Sequence, residues 1–361
     1  MNHNEIELDD LEYIINTASV EFDKLSNSKV LITGGGGFLG YYFVKSFLRW
    51  NQLYPKKQIS IVVYDNFIRG IPRWLTDLKN KNLTIKKYNI INKLPTNLNG
   101  INYLIHAASI ASPIFYRKFP IETMDANVVG LRNMLNFCVN KKNLKNLKGF
   151  LFFSTSEIYG DPDNKNIPTS EEYRGFVSPT GPRACYDESK RYGETMCVNF
   201  AQQYGINIKV ARPFNNYGPG LKINDGRVIP DFAKNILANK DIILLSDGSP
   251  TRTFCYISDA IVGYIKILVK GKRGEAYNIG TEKPEISILE LSQKMINISS
   301  RLMNYTGKVI SKKSKDKHYL TDNPNRRRPS IKKAKKDLGY APSIKIDKGL
   351  KRTLIWYSEN R

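Results

Sequence analysis

Short apolar runs alternate along this chain with longer stretches whose apolar residues recur at helical spacing. Such a run predicts a buried strand, and the helical spacing predicts a helix that covers the strands. Strands are predicted at 29–33, 60–64, 83–88, 102–107, 149–154 and 208–212. Helices are predicted at 41–51, 125–140 and 186–204. Alternating strands and helices indicate an α/β fold with a doubly wound, mostly parallel sheet.

A glycine-rich turn joins the first predicted strand to the helix that follows it. Gly34, Gly37 and Gly40 have the spacing G-x-x-G-x-x-G. Glycine lets the backbone turn sharply and lets a pyrophosphate approach the helix N-terminus, where free N–H groups bind anions. The second strand ends in Asp65, a residue placed to hydrogen-bond an adenosine ribose and to disfavour a 2′-phosphate. These features predict a Rossmann-like domain that binds NAD in preference to NADP.

The ends of the chain differ from its centre. Residues 1–28 carry apolar residues at helical spacing, and Asp9 and Asp10 are placed to cap that helix. We expect an N-terminal helical extension that either packs on its own domain or docks a partner. Residues 29–212 are the predicted NAD-binding domain. The looser pattern of 213–361 predicts mostly a substrate-binding lobe, with 254–280 packing back on the sheet.

The predicted helix 186–204 begins with Tyr186 and Lys190 in the spacing Tyr-x-x-x-Lys. Residues four apart lie on one face of a helix, so the Lys190 ammonium should lie near the Tyr186 phenol. A nearby cation lowers the pKa of a tyrosine, which can then act as a general base near neutral pH. The same spacing is common on solvated helix faces, so the upstream glycine turn is what favours catalysis here.

Charge and cysteine content narrow the class of protein. The formal net charge is +23, from an excess of Lys and Arg that favours an anionic partner or reflects compositional bias. The four cysteines are scattered, as expected of reduced thiols in the cytoplasm, and the three histidines are too far apart to suggest a metal site. No apolar run is long enough for a membrane span, and the acidic N-terminus does not resemble a signal peptide.

A strongly basic segment lies near the C-terminus. Residues 311–336 carry eleven Lys or Arg against two Asp. The segment is either a solvated surface or the source of a guanidinium that binds an anionic substrate bidentately, with Arg326, Arg327 and Arg328 as candidates. We do not expect nucleic-acid binding, because neither a recognisable module nor a pattern of stacking aromatic residues accompanies the charge.

Four motifs together resemble the extended short-chain dehydrogenase/reductases that act on nucleotide sugars. They are TGGGGFLG at 33–40, FSTSEIYGDP at 153–162, GPRACYDESKR at 181–191 and ARPFNNYGPG at 211–220. Within that family the chain is most similar to UDP-glucuronate decarboxylases. The resemblance implies a nucleotide-sugar substrate, NAD as cofactor, and a homodimer that pairs helices 125–140 and 186–204 with those of a second copy.

The resemblance also assigns site residues. It implies that Thr155, Tyr186 and Lys190 are catalytic, that Glu157 is the glutamate shared by decarboxylases and 4,6-dehydratases, and that Arg327 lies near the sugar carboxylate. The candidate cofactor-binding residues are Gly34, Gly37, Phe38, Leu39, Gly40, Asp65, Asn66, Ala107, Ala108, Ser109, Tyr186 and Lys190. The candidate substrate-binding residues are Ser156, Asn215, Arg227, Arg252 and Arg327.

Four functions stay open on these residues. Ser156 stands where similar 4,6-dehydratases have an aspartic acid, which favours decarboxylation of a nucleotide-linked hexuronate through a transient 4-ketone. A 4-epimerase needs only Thr155, Tyr186 and Lys190, and a non-catalytic NAD-binding scaffold needs none of the three. Two departures from the family pattern bear on the ligands: Gly220 replaces an arginine, and Asn89 replaces an aspartate that contacts adenine.

Overall fold

The computed structural model describes residues 1–312 and 321–360. Its strands are β1 Lys29–Thr33, β2 Ser60–Asp65, β3 Leu83–Lys87, β4 Tyr103–His106, β5 Gly149–Phe153, β6 Ile208–Pro213, β7 Asn216–Tyr217, β8 Ile242–Leu244, β9 Thr251–Arg252, β10 Cys255–Tyr256, β11 Ala276–Ile279, β12 Ile286–Ser287, β13 Val309–Ser311 and β14 Arg326–Arg327.

The helices cover the sheet and build the C-terminal part of the molecule. They are α1 His3–Thr17, α2 Ser19–Leu25, α3 Phe38–Leu53, α4 Arg73–Thr76, α5 Pro113–Lys118, α6 Pro120–Asp125, α7 Leu131–Val139, α8 Lys141–Leu144, α9 Ala184–Tyr204, α10 Val228–Leu237, α11 Ile257–Lys270, α12 Ile288–Met303, α13 Lys332–Leu338 and α14 Ile346–Glu359. A π-turn, Ala126–Gly130, joins α6 to α7, and 3₁₀ turns cover Ser156–Tyr159 and Asn164–Asn166.

The central sheet has seven parallel strands in the order β11-β6-β5-β4-β1-β2-β3. The strand order reverses between β1 and β4, so the loops after these two strands diverge and leave a crevice at their carboxyl ends. The predicted α/β class and the Rossmann-like parallel sheet are confirmed. The returning segment 254–280 supplies α11 and β11, and β11 pairs with β6 at one edge of the sheet. The domain boundary at residue 212 stays a prediction.

Neighbouring side chains of each central strand point into opposite helical layers. In β5, Phe150 and Phe152 pack with α7 and α9, whereas Leu151 and Phe153 pack with α3 and α11. All four side chains are at most 4% exposed. Burial on both faces explains why these strands have continuous apolar sequences, and it holds their carboxyl ends, where the site lies, on a rigid support.

The N-terminal extension packs on the molecule itself. Helix α1 contacts α3, α11 and α14, and Ile6 and Ile14 are fully buried there. The predicted cap was wrong: Asn2 caps α1 together with Glu5, and Asp10 lies mid-helix. Asp10 is buried among Tyr256, Tyr42 and Arg352, with which it forms hydrogen bonds, and burial raises its pKa to about 6.

The helix predicted over 125–140 is not continuous. The chain is already helical in α6 and passes through the π-turn Ala126–Gly130 before α7 begins. The wider turn brings the Asn127 amide against α9, where it donates to the Ser189 hydroxyl at 2.9 Å. A Cβ on Gly130 would lie 2.5 Å from the end of the Ile90 side chain, so a larger residue would require that side chain to shift.

Candidate active site

A cleft of about 1120 Å³ opens at the carboxyl ends of the central strands. Both the Rossmann-like sheet and the C-terminal segments line it. Of the residues assigned above to cofactor, substrate or catalysis, all except Gly40 lie on its wall. Those residues are Gly34, Gly37, Phe38, Leu39, Asp65, Asn66, Ala107, Ala108, Ser109, Thr155, Ser156, Glu157, Tyr186, Lys190, Asn215, Arg227, Arg252 and Arg327.

The glycine turn forms one wall of the cleft. Gly34 has φ +72°, and a Cβ there would lie 2.6 Å from the backbone of Ala108. Gly37 precedes the first residue of α3, so the N–H groups of that helix start face the cleft. Gly40 acts differently: its Cβ would lie 2.2 Å from the Gly35 carbonyl oxygen, so it lets α3 pack on the turn. This backbone arrangement fits a dinucleotide.

Asp65 holds the same turn from the end of β2. Its carboxylate accepts hydrogen bonds from the backbone N–H of Gly36 at 2.9 Å and of Phe67 at 2.7 Å. Burial raises the pKa of Asp65, and these two hydrogen bonds oppose the rise. The carboxylate therefore holds the turn through hydrogen bonds within the protein. Its contact with the ribose, and the preference for NAD over NADP, stay predictions.

Thr155, Tyr186 and Lys190 meet at the floor of the cleft. All three are buried, with 7%, 6% and 2% of the residue exposed. The strand β5 delivers Thr155, and α9 carries the other two on one face. The Thr155 side chain lies close enough to the Tyr186 phenol to lower its pKa, and the ring of Tyr116 stacks on the Tyr186 ring with centroids 5.0 Å apart.

The expected lowering of the Tyr186 pKa is not found. Burial raises that pKa above its ordinary value, and the Thr155 side chain and the more distant guanidinium of Arg227 oppose the rise only in part. The Lys190 ammonium instead donates to the Phe153 carbonyl at 2.7 Å and lies 5.9 Å from the centre of the Tyr186 ring. Burial lowers the pKa of Lys190 to about 7. Helical spacing predicted proximity correctly, but it could not predict the depth of burial.

Glu157 is held by two arginines. The two terminal nitrogens of Arg327 bind its two carboxylate oxygens, one of them at 2.8 Å, and Arg183 binds one of those oxygens as well. The sequence reasoning missed Arg183, which lies three residues before Tyr186 in the quoted GPRACYDESKR motif. Its Nε lies 3.6 Å from the carboxylate of Asp187, whose pKa burial raises to about 6.

Arg252 adds a third guanidinium to this end of the cleft. It donates to the carbonyls of Thr251 and Pro324, and the hydrogen bonds it makes are to uncharged acceptors. Burial and repulsion between the guanidiniums lower the pKa of Arg252 and of Arg327 to about 9. Arg183, Arg252 and Arg327 thus place three guanidiniums at one end of the cleft, an arrangement that suits an anionic ligand.

A second ion-pair group lies across the cleft. Asp225, 3% exposed at its side chain, pairs with Arg227 and with Arg69, both at 2.9 Å. The pairing joins the loop after β2 to the loop before α10. Neither Arg69 nor Asp225 was predicted, because nothing in the sequence pairs residues 156 positions apart. Asn215, with φ +42°, donates to the Thr253 carbonyl and shapes the adjoining wall.

The two departures from the family pattern both line the cleft. Gly220 has φ +85°, and a Cβ there would lie 3.1 Å from the ring of Tyr41, so that ring occupies part of the space a side chain would need. Asn89 follows β3 on the wall next to Asp65.

Among residues 1–312 and 321–360, no cluster of His, Cys, Asp or Glu could hold a metal ion. His318 and part of the basic segment lie outside the described residues.

Within the same described part of the chain, no helix combines the length and apolarity that crossing a membrane requires. The cysteines, Cys138, Cys185, Cys197 and Cys255, are all free thiols.

Comparisons with known proteins agree with this geometry. Residues 30–280 match the model of the NAD dependent epimerase/dehydratase family. UDP-glucuronic acid decarboxylase 3 of Arabidopsis thaliana is 34% identical over 330 residues, which cover 90% of this chain and 87% of the relative. UDP-glucuronic acid decarboxylase 1 of Xenopus tropicalis is 34% identical over 333 residues, which cover 91% of this chain and 72% of the relative.

Solved structures give the same answer for the fold. The dTDP-glucose 4,6-dehydratase of Streptomyces venezuelae, solved with NAD bound, is 25% identical, with a TM-score of 0.77 over 92% of this chain and 98% of its own. The UDP-glucuronic acid 4-epimerase of Bacillus cereus, in complex with UDP-glucuronic acid and NAD, is also 25% identical, with a TM-score of 0.75 over 92% of this chain and 100% of its own. The chain therefore belongs to the NAD dependent epimerase/dehydratase family.

Proposed function

We propose that this protein decarboxylates UDP-glucuronate to a UDP-pentose, with NAD as the cofactor. One observation supports this most directly: the buried guanidinium of Arg327 lies in a cluster with Arg183 and Arg252 at the catalytic end of the cleft. A hexuronate brings a carboxylate to such a cluster, whereas a neutral hexose brings a hydroxymethyl group. Glu157 and Asp187 compensate part of the positive charge of this cluster, and a substrate carboxylate would add a further anion.

The residues of the chain divide the work as follows. Tyr186 takes the proton of the sugar's C4 hydroxyl, and Thr155 hydrogen-bonds to the same oxygen. Bound NAD supplies reversible hydride transfer at C4, and Lys190 and the glycine turn are the residues that hold it. Oxidation at C4 places the C6 carboxylate β to a ketone, so the C5–C6 bond can break, with carbon dioxide leaving and the bonding electrons passing into an enolate. Protonation at C5, followed by return of the hydride and of the Tyr186 proton at C4, would then give the pentose. Arg327 orients the carboxylate, and burial of the site excludes water.

Two other reactions compete with this proposal. A 4,6-dehydratase needs an acid to protonate the leaving hydroxyl, and Ser156 cannot supply a carboxyl proton at that position. Epimerisation of a uronate at C4 is the stronger alternative, because a 4-epimerase of similar fold binds UDP-glucuronic acid. Such an epimerisation would use the same cluster of Arg183, Arg252 and Arg327, but the carboxylate would stay on the sugar.

A panel of nucleotide sugars tests the assignment. The protein is incubated with UDP-glucuronate, UDP-glucose and dTDP-glucose, and the products are analysed by mass spectrometry. We expect UDP-glucuronate to lose the mass of carbon dioxide and the other two sugars to stay unchanged. Loss of the mass of water would indicate a dehydratase, and an unchanged mass with altered chromatographic mobility would indicate an epimerase.

The assembly and setting of the protein are part of the proposal. A homodimer built on the π-turn and α9 is supported by exposed apolar side chains there, including Val129 and Tyr192 at 42% and 53%. The free thiols support a cytoplasmic location. A UDP-pentose is an activated sugar, which makes polysaccharide biosynthesis the process that would use the product. Nucleic acid and membrane are not among the proposed partners.

A further inference from the structure

Glu157 uses the hydrogen-bond donors of Arg327 that a substrate carboxylate would need. Arg327 presents a planar pair of N–H groups to it, the geometry that recognises a carboxylate bidentately. The Arg327 side chain is 8% exposed and that of Glu157 is 19% exposed, so the pair lies in the wall of the cleft. A uronate that enters the cleft meets an arginine already bound to a carboxylate of the protein.

The two arginines that hold Glu157 are fixed by other contacts. The backbone of Arg327 belongs to β14, which pairs with β9, and Arg183 lies beside the buried carboxylate of Asp187. Glu157 is less constrained, because it belongs to the single 3₁₀ turn Ser156–Tyr159. Glu157 is therefore the member of the group that can move without disturbing a helix or a strand.

Charge also favours an exchange of partners. Arg183 and Arg327 both bind the Glu157 carboxylate, and Arg183 also lies beside the carboxylate of Asp187. A substrate carboxylate would give Arg327 a partner that it does not share with Arg183. If the substrate carboxylate takes the place of Glu157 on Arg327, Glu157 still has Arg183 as a partner, so neither carboxylate is left unpaired.

We propose that Glu157 occupies the carboxylate position on Arg327 until the substrate's own carboxylate displaces it. This inference rests on the proposed function, since it requires a uronate substrate. Once displaced from Arg327, the Glu157 carboxylate can face the sugar ring, and it keeps its ion pair with Arg183. A neutral sugar has no group that competes for the guanidinium, so the Glu157 carboxylate stays on Arg327 and does not face the sugar ring. Glu157 is thus a specificity-determining residue that couples recognition of the carboxylate to arrangement of the site.

The test is binding in a background that cannot turn over. In a Tyr186→Phe protein with NAD, dissociation constants for UDP-glucuronate and UDP-glucose are measured by calorimetry, before and after adding Glu157→Gln. Glutamine keeps the shape of the side chain but competes weakly for Arg327. We expect UDP-glucuronate to bind about tenfold tighter or more, the scale of one charge-assisted hydrogen bond, with UDP-glucose unchanged.

Asp187→Asn is the matched control, because it removes one negative charge from the same cluster without vacating Arg327. We expect it to change the ratio of the two dissociation constants much less than Glu157→Gln does. Equal effects of the two variants, or equal tightening of both sugars, would overturn the exchange. Glu157→Ala carries the same expectation if the glutamine variant does not fold, as checked by circular dichroism.

The proposed function is tested separately by product analysis of the unmodified protein. Decarboxylation without selective tightening in Glu157→Gln refutes the exchange and leaves the function standing. Absence of decarboxylation refutes the function itself.

Discussion

At the residue scale, the proposed function requires that Arg327 distinguish a uronate substrate from a neutral one. We expect Arg327→Ala to reduce turnover of UDP-glucuronate by about two orders of magnitude or more, because a charge-assisted positioning contact is lost. NAD binding should persist, because the glycine turn that is proposed to hold the dinucleotide does not include Arg327. Steady-state kinetics and a cofactor titration measure the two effects.

Arg326→Ala is the control for that variant. Arg326 is adjacent in sequence, but it pairs with Glu285 and its side chain is 37% exposed. Its removal should leave turnover nearly unchanged. Near-normal turnover of Arg327→Ala on UDP-glucuronate would contradict the role given to the guanidinium.

Lys190 shows how function costs stability at a single residue. Its pKa in the folded protein is lowered by burial to about 7 from an ordinary value of 10.5. Between those values the unfolded chain binds more protons than the folded one, so this residue's contribution to folding becomes more favourable as the pH rises. The cost of burying its charge is greatest below about pH 7.

Lys190→Met should therefore inactivate the protein and raise its melting temperature in the absence of NAD. The gain over the unmodified protein should be larger at about pH 6 than at about pH 9, because the penalty it removes is pH-dependent. Melting curves of both proteins at the two pH values measure this. A gain that is equal at both values, or a loss at both, would show that the ammonium is not buried as described.

At the element scale, α1 is an integral part of the core. Ile14 is fully buried against the neighbouring helices, whereas Leu8 on the same helix is 43% exposed. Ile14→Ala should lower the free energy of unfolding by about 2–5 kcal/mol, and Leu8→Ala should change it little. Urea denaturation of both variants decides the point, and matching small effects would mean that α1 does not pack in solution.

The central strands were predictable because burial on both faces leaves a continuous apolar run, whereas the edge strand β3 is mostly exposed and ends in two lysines. The predicted β1 has the observed bounds, and β2 and β5 differ from prediction by one residue at one end. The start of α1 was not predictable in the same way, since an acidic residue can either cap a helix or lie inside it and pair with a distant cation. Asp10 lies inside α1 and pairs with Arg352 of α14, 342 positions away. The π-turn before α7 also depends on packing, through the close approach of Gly130 to Ile90.

The residues of the candidate site also differ in whether the sequence could predict them. Residues that act through local backbone geometry, such as Gly34 and Gly37, were found from their spacing. Arg183 and Asp225 were missed because their roles depend on long-range partners, Glu157 and Arg69. The cationic cluster likewise combines residues from α9, β9 and β14 and their flanks, which only the fold brings together.

At the scale of the whole molecule, the proposed dimer has a direct test. Tyr192 is a half-exposed aromatic residue on α9, and Leu53 is an apolar residue at the end of α3, 42% exposed. Tyr192→Asp should convert the dimer to a monomer in light scattering, since it places a charge in the proposed interface. Leu53→Asp, outside that interface, should leave the mass unchanged. A monomeric parent protein would contradict the proposal.

The central claim is that this cleft removes the carboxylate of a hexuronate. The most direct measurement is an NMR time course with UDP-glucuronate labelled with carbon-13 at C6, using the intact protein and a Tyr186→Phe control. The account predicts that the label appears as carbon dioxide and bicarbonate with the intact protein, in step with formation of a UDP-pentose, and stays in the sugar with the control. Retention of the label in a product altered only at C4 would contradict it and identify an epimerase.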